Sequence, residues 1–122
     1  MSIRKKIEEG ASTIALVRKL ENTLFDLLDD DDPVNIYMLT DICKQLNVDI
    51  TAYFSGIYTS GRYNLKVLSK GDFNVALNVA EALYETCVRF QKFELALIVN
   101  TEIAKALQET GVDLKWIDGK FI

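Results

Sequence analysis

The fold is decided by residues 73–110, which read FNVALNVAEALYETCVRFQKFELALIVNTEIAKALQET. Apolar residues recur along this stretch every seven positions, with further apolar residues beside them, and this spacing indicates one face of an α-helix. The recurrent positions are Ala76, Leu83, Phe90, Leu97 and Ala104, with Val79, Phe93 and Leu107 beside them. Because one helix over the whole stretch would exceed the usual length in globular proteins, the sequence predicts two antiparallel helices with a turn within Phe90–Glu94. Asp72 is the predicted N-cap and Gly111 the predicted end.

Two further helices are predicted towards the N-terminus. The first runs from Ser2 to about Leu28, is interrupted by Gly10, and has an apolar face of Ile7, Ile14, Val17, Leu24 and Leu28. The second begins at Pro33, because a capping aspartate followed by proline is a strong helix start. It runs to about Leu46, with Val34, Tyr37, Met38, Ile42 and Leu46 on its apolar side.

The remaining segments are shorter. Asn47 can adopt a left-handed cap, and Asp49 caps a short helix that runs to about Tyr58. Alternation of apolar and charged residues predicts a short β pairing between Asn64–Leu68 and Val112–Trp116, although a short helix fits residues 62–70 equally well. With 122 residues, 49% of them hydrophobic and 26% charged, the prediction is one mainly α domain of about five helices. Residues 112–122 are predicted to form an extended C-terminal arm that either folds back over the last helix or docks on a neighbouring chain.

The residue types present exclude most catalytic chemistry. The chain has no histidine, which removes the usual general base, the histidine-activated nucleophiles and imidazole metal ligands. Cys43 and Cys87 are far apart in sequence and share no metal-binding spacing, so we expect buried free thiols in a reducing, cytoplasmic setting. The aspartate run 29–32 lacks the alternation of a calcium loop. We therefore predict no catalytic residue, no cofactor and no metal, and a protein that is not an enzyme.

Residues 39–54 resemble the helix-turn-helix of DNA-binding proteins. Ile42 and Leu46 would face the core, and Asn47-Val48 would make the turn. This resemblance implies a DNA-binding regulator or nucleic-acid-binding accessory subunit, which is the alternative function. Its binding residues would be Thr51, Tyr53, Arg62, Lys66 and Lys70. Residues 44–92 carry six basic and four acidic side chains, whereas the whole chain has a net charge of −4, so the phosphate-binding capacity of this segment is modest.

Aromatic residues favour protein binding as the function. A cluster between Tyr53 and Phe73 and a tail rich in large apolar side chains are typical of surfaces that face another protein. The predicted partner-binding residues are Tyr58, Tyr63, Phe90, Phe93, Trp116 and Phe121. We therefore expect a small intracellular interaction subunit that binds a protein partner or itself along the seven-residue repeat of residues 73–110. No membrane span is predicted, because no run of about 18 apolar residues exists.

Overall fold

In the computed structural model of the protein, residues 9–28, 34–51, 65–69 and 71–122 are described. Within them the chain forms four helices of 12 to 18 residues, one four-residue helical turn and a two-stranded antiparallel sheet. In chain order these are α1 (Ala11–Thr23), α2 (Val34–Gln45), α3 (Lys66–Ser69), α4 (Phe73–Arg89), α5 (Phe93–Thr110), β1 (Trp116–Ile117) and β2 (Lys120–Phe121). The predicted mainly α class and its long C-terminal helical hairpin are confirmed, and four helices plus one turn come close to the expected five.

Helix α4 is the centre of the fold, because it packs against α1, α2, α3, α5 and β2. Ten of its 17 residues are buried, including Glu81 and Thr86. Helix α5 buries a single face made of five of its 18 residues: Ala96, Val99, Ile103, Ala106 and Leu107. The core is therefore built around α4, while one side of α5 is left at the surface.

Helix ends follow the predicted capping chemistry. The Asp72 carboxylate accepts a hydrogen bond of 3.0 Å from the Val75 amide at the start of α4. The turn between α4 and α5 falls at residues 90–92, with Gln91 in the left-handed region at φ 59°, so the predicted break within Phe90–Glu94 is confirmed. Asn47 adopts φ 56° after α2, and Gly111 adopts φ 69° after α5, which completes left-handed caps at both helix ends.

The C-terminal segment forms a β-hairpin that folds back onto the helices. Trp116 pairs with Phe121 across the two strands, and the turn uses Asp118 (φ 51°) and Gly119 (φ 79°), as two-residue hairpins prefer. A Cβ on Gly119 would lie 2.6 Å from the Tyr84 ring, which shows how closely this turn approaches α4. Of the two alternatives for residues 62–70, the short helix is confirmed at Lys66–Ser69. The β pairing forms instead between Trp116–Ile117 and Lys120–Phe121, so the predicted pairing of residues 64–68 with residues 112–116 is wrong.

The predicted faces of the first two helices are confirmed at Val17, Leu24, Leu28, Met38 and Ile42, which are buried, but other predicted positions are wrong. Gly10 is extended and α1 begins after it, so a continuous helix from Ser2 does not pass through this residue. Ile14 and Tyr37 are exposed, whereas α1 buries Thr13, Leu16, Val17 and Leu20. On α5, Leu97 and Ala104 of the seven-residue repeat point outward. The turn at residues 90–92 resets the helical phase, so the repeat that faces the core in α4 faces solvent in α5.

Candidate functional site

The outward side of α5 carries a continuous uncharged surface, which we call the α5 face: Phe93, Leu97, Thr101, Ala104 and Gln108. All five residues are exposed, and at 100° per residue they lie within an arc of about 80° on the helix. Phe93 is 62% exposed and Leu97 is 66% exposed. Exposed apolar groups of this size next to one another are typical of interaction sites rather than of ordinary surface.

The α5 face is bordered by packed elements on both sides. On one side the Trp116 indole N–H donates a 2.7 Å hydrogen bond to Asn100 Oδ1, which holds β1 against α5. On the other side Lys19 of α1 forms a salt bridge with Glu109. Hydrogen bonding from the Lys19 ammonium and its charge lower the pKa of the Glu109 carboxyl. These two contacts lie on either side of the α5 face and join α5 to β1 and to α1.

A groove of about 540 Å³, the end groove, adjoins the first turn of α5. It is lined by apolar side chains that include Leu28, Met38, Phe93 and Ile98, with Lys92 and Glu94 at charged positions. Ile98 is exposed on this side of the helix. Phe93 lines the groove and also belongs to the α5 face, so the two apolar surfaces are continuous at the start of α5.

Two of the five side chains of the α5 face are polar, those of Thr101 and Gln108. The Thr101 hydroxyl donates a 2.9 Å hydrogen bond to the Leu97 carbonyl in the preceding turn, which satisfies its donor within the helix. The charged residues Glu94 and Lys105 lie beside the face, eleven positions apart, and both are exposed. The surface is thus uncharged, with a negative charge beside one end and a positive charge beside the other.

The polar cluster with the most hydrogen bonds among the described residues joins α2 to α4. The Asp41 carboxylate accepts hydrogen bonds from Thr86 Oγ1 (2.8 Å), Gln45 Nε2 (2.9 Å) and Arg89 Nη1 (2.8 Å). Burial raises the pKa of the Asp41 carboxyl, but these three hydrogen bonds and the Arg89 charge outweigh that effect, and the pKa is lowered overall. An ionised carboxylate whose oxygens are occupied by donors is suited to joining two helices and poorly suited to acting as a general base.

The two cysteines are free and buried. Burial raises the pKa of Cys43 to about 11 and that of Cys87 to about 12. A nucleophilic cysteine needs a lowered pKa and access to its substrate, and neither thiol has them. Among the residues that the structure describes, no group of three or more cysteine or carboxylate side chains is placed to hold a metal ion.

The predicted partner-binding residues occupy different positions. Phe93 lies on the α5 face, Phe90 is half-buried at the turn, and Trp116 is half-buried against Asn100. Phe121 is fully buried between Trp116 and α4, so the structure gives it a packing role and leaves it no surface for a partner. Two further predicted residues, Tyr58 and Tyr63, lie outside the described residues.

The predicted nucleic-acid-binding residues are only partly described. Thr51 is exposed, and its amide donates a 2.8 Å hydrogen bond to the Asp49 carboxylate, which confirms the predicted cap. Lys66 is half-buried on α3, with its ammonium 3.5 Å from Asn22 Oδ1. The others, Tyr53, Arg62 and Lys70, lie outside the described residues. No helix in the described parts of the chain is both long and apolar enough to cross a membrane.

The sequence pattern did not identify most of the α5 face. The seven-residue repeat places Leu97 and Ala104 on the packed side, and no motif marks Ile98 or Thr101. A usable signal is the run Phe93–Val99, whose apolar residues cover more of the helix circumference than one buried face requires. No known protein family, curated protein or solved structure matches this chain, and its function is therefore inferred from the geometry of this site.

Proposed function

We propose that this protein is a non-enzymatic interaction subunit that binds another protein chain through the α5 face and the adjoining end groove. The observation that carries the proposal is the pair Phe93 and Leu97, two large apolar side chains that are one helical turn apart and about two-thirds exposed. Because each is already about one-third buried, complete burial of each side chain would contribute roughly a further 1–2 kcal/mol, which is two-thirds of the value for full burial. A partner that covers them recovers this free energy, and helix faces are a common way to present such anchors.

The remaining geometry supports a binding role over a catalytic one. The best-connected carboxylate, that of Asp41, is occupied by three donors, and both thiols are buried with raised pKa values. Two free buried thiols also suit a reducing compartment, and we place the protein's work in the cytoplasm. In this proposal the protein acts through the shape and chemistry of a packed surface.

Affinity capture with matched variants tests the proposal. Tagged wild-type protein, Leu97→Asp and Ile14→Asp are expressed in the cell that makes the protein, and captured proteins are quantified by mass spectrometry. Ile14 is a suitable control because it is an exposed isoleucine on α1, next to Gly71 and Phe73 and away from the α5 face. We expect that wild type and Ile14→Asp capture the same partner proteins and that Leu97→Asp does not capture them. Equal capture by wild type and Leu97→Asp would contradict the proposal.

A second candidate function is DNA binding by a helix-turn-helix. It is favoured by the turn after α2, where the Val48 amide donates to the Cys43 carbonyl at 2.8 Å and residues 50 and 51 begin a new helix. The test is a gel shift with labelled duplex DNA at low salt. A DNA-binding protein would shift the duplex, and the shift would decrease steeply as the salt concentration rises. The Lys66→Ala variant would bind the duplex more weakly than wild type. No shift at low salt would leave protein binding as the function.

A further inference from the structure

We propose, resting on the function proposed above, that the partner is a second copy of this chain, docked antiparallel so that the two α5 faces cover each other. The first reason is size complementarity along the face. Its large residues, Phe93 and Leu97, lie towards the start of α5, and its smaller residues, Thr101 and Ala104, lie towards the end. In an antiparallel pair with a two-fold axis near Thr101, Leu97 of each copy meets Ala104 of the other. Large side chains then fill the space left by small ones, as close packing requires.

Charge complementarity is the second reason. With the axis near Thr101, Glu94 of one copy lies within about one helical turn of Lys105 of the second copy, and the two-fold symmetry makes this contact twice. Both side chains are exposed; within its own chain, the Lys105 ammonium lies 3.9 Å from the Glu102 carboxylate and its charge also acts on Glu109. In a parallel pair, by contrast, Glu94 lies at the level of Glu94 and Lys105 at the level of Lys105, about 16 Å apart along the helix, so the contact between opposite charges does not form. The charge pattern therefore favours the antiparallel arrangement.

The hydrogen bonding of the face is the third reason. The only hydroxyl on it belongs to Thr101 and is bonded to the Leu97 carbonyl, so the axis position can be buried at little desolvation cost. The neighbouring side chains Asn100 and Glu109 already have polar partners in their own chain, Trp116 and Lys19. One pair of helices is a small interface, near or below the roughly 1,200 Å² of stable complexes, so we expect a dissociation constant in the micromolar range.

Charge reversal tests the register, with sedimentation equilibrium of the purified full chain from about 1 to 500 µM as the measurement. Wild type is expected to form a dimer. Each single variant, Glu94→Lys or Lys105→Glu, is expected to weaken it by about tenfold, since two like-charge contacts replace two attractive ones. The double variant restores the dimer, and so does mixing the two single variants. A dimer insensitive to either single reversal would overturn the antiparallel register.

Disulfide trapping provides a second measurement that does not depend on charge. Thr101→Cys, close to the axis, is expected to cross-link to its own counterpart under mild oxidation. Gln108→Cys lies about 20 Å from its counterpart in the antiparallel pair, by the 1.5 Å rise per residue, and should not cross-link. The natural thiols are buried and do not compete. Efficient cross-linking of Gln108→Cys would indicate a parallel pair and refute the proposal.

Two outcomes separate this inference from the proposed function. A wild-type chain that stays monomeric to 500 µM, while Leu97→Asp still abolishes capture of a different protein, overturns self-association and keeps the binding function. If the chain is monomeric and Leu97→Asp captures the same proteins as wild type, both self-association and the proposed binding function are overturned. If self-association is correct, Leu97→Asp raises the dissociation constant at least about 100-fold. Ile14→Asp leaves it unchanged.

Discussion

Replacing Phe121 with alanine should cause a large loss of stability, because the C-terminal hairpin is part of the core. Phe121 is 0% exposed, and its ring packs edge-on to the Trp116 ring with 4.8 Å between the ring centroids. The Phe121 amide donates a 2.9 Å hydrogen bond to the Glu81 carboxylate. Truncating a fully buried phenylalanine costs about 3–5 kcal/mol. At about 2.1 cal/mol/K per residue, the 122-residue chain has an unfolding entropy of about 0.26 kcal/mol/K. The expected fall in Tm is therefore roughly 12–20 °C.

The matched control is Ile117→Ala, which lies in the same hairpin but is 45% exposed and should cost about 1 kcal/mol or less. Differential scanning calorimetry gives both Tm values. Fluorescence of the single tryptophan, Trp116, reports the hairpin directly, because its emission should shift to the red only in Phe121→Ala. Equal Tm losses for the two variants would refute the packing role. A dissociated oligomer with an unchanged Tm would show that the hairpin docks on a neighbouring chain.

Three further expectations follow from the same structure. Asp41→Asn should cost about 1–3 kcal/mol at pH 7. Hydrogen bonds and the Arg89 charge hold the folded-state pKa of this carboxyl below its usual value, so the stabilisation is present near neutral pH and is lost as pH falls through the lowered pKa. Urea unfolding at pH 7 and at pH 3 should show that the difference in unfolding free energy between wild type and Asp41→Asn narrows at the lower pH, and a constant difference would contradict this expectation. Gly119→Ala and Gly111→Ala share the strain of a positive φ, but only at residue 119 would the new Cβ lie 2.6 Å from the Tyr84 ring. Thermal unfolding should therefore show that Gly119→Ala lowers the free energy of unfolding by at least about 1 kcal/mol more than Gly111→Ala does. Cys43 and Cys87 should react with a thiol reagent at pH 8 only as fast as the protein opens, and rapid labelling of the native protein would show that they are accessible.

Local signals in the sequence predicted helix ends better than helix faces. Asp72, Asn47 and Gly111 each act through chemistry confined to one turn, a capping carboxylate or a left-handed conformation, and the structure uses all three as predicted. The buried face of a helix is harder to predict from the sequence, because α1 and α2 carry apolar residues on more than one side. Ile14 and Tyr37 fit an amphipathic pattern as well as the residues that are buried, and only tertiary packing decides between them.

The C-terminal hairpin has a turn signal of its own in the sequence. Alternation in residues 112–116 predicts a strand without fixing its partner, whereas Asp118-Gly119 is a strong two-residue turn signal that pairs Trp116 with Phe121. A nearby partner is favoured because closing a short loop costs little conformational entropy. The same preference explains why Phe121 became a core residue: the turn folds it back onto α4.

The seven-residue repeat is buried in α4 but exposed in α5, so a change on the α5 face should affect binding without affecting stability. In α4 the repeat positions Ala76 and Leu83 are buried. In α5 the core is supplied by the other face, and Leu97 and Ala104 are not needed to fill it. Leu97→Asp should therefore leave the Tm within about 2 °C of wild type, since exposed substitutions change stability by only about 0.5 kcal/mol, while it abolishes association. A large fall in Tm with unchanged association would mean that Leu97 stabilises the fold, and it would contradict the role of the α5 face as a binding site.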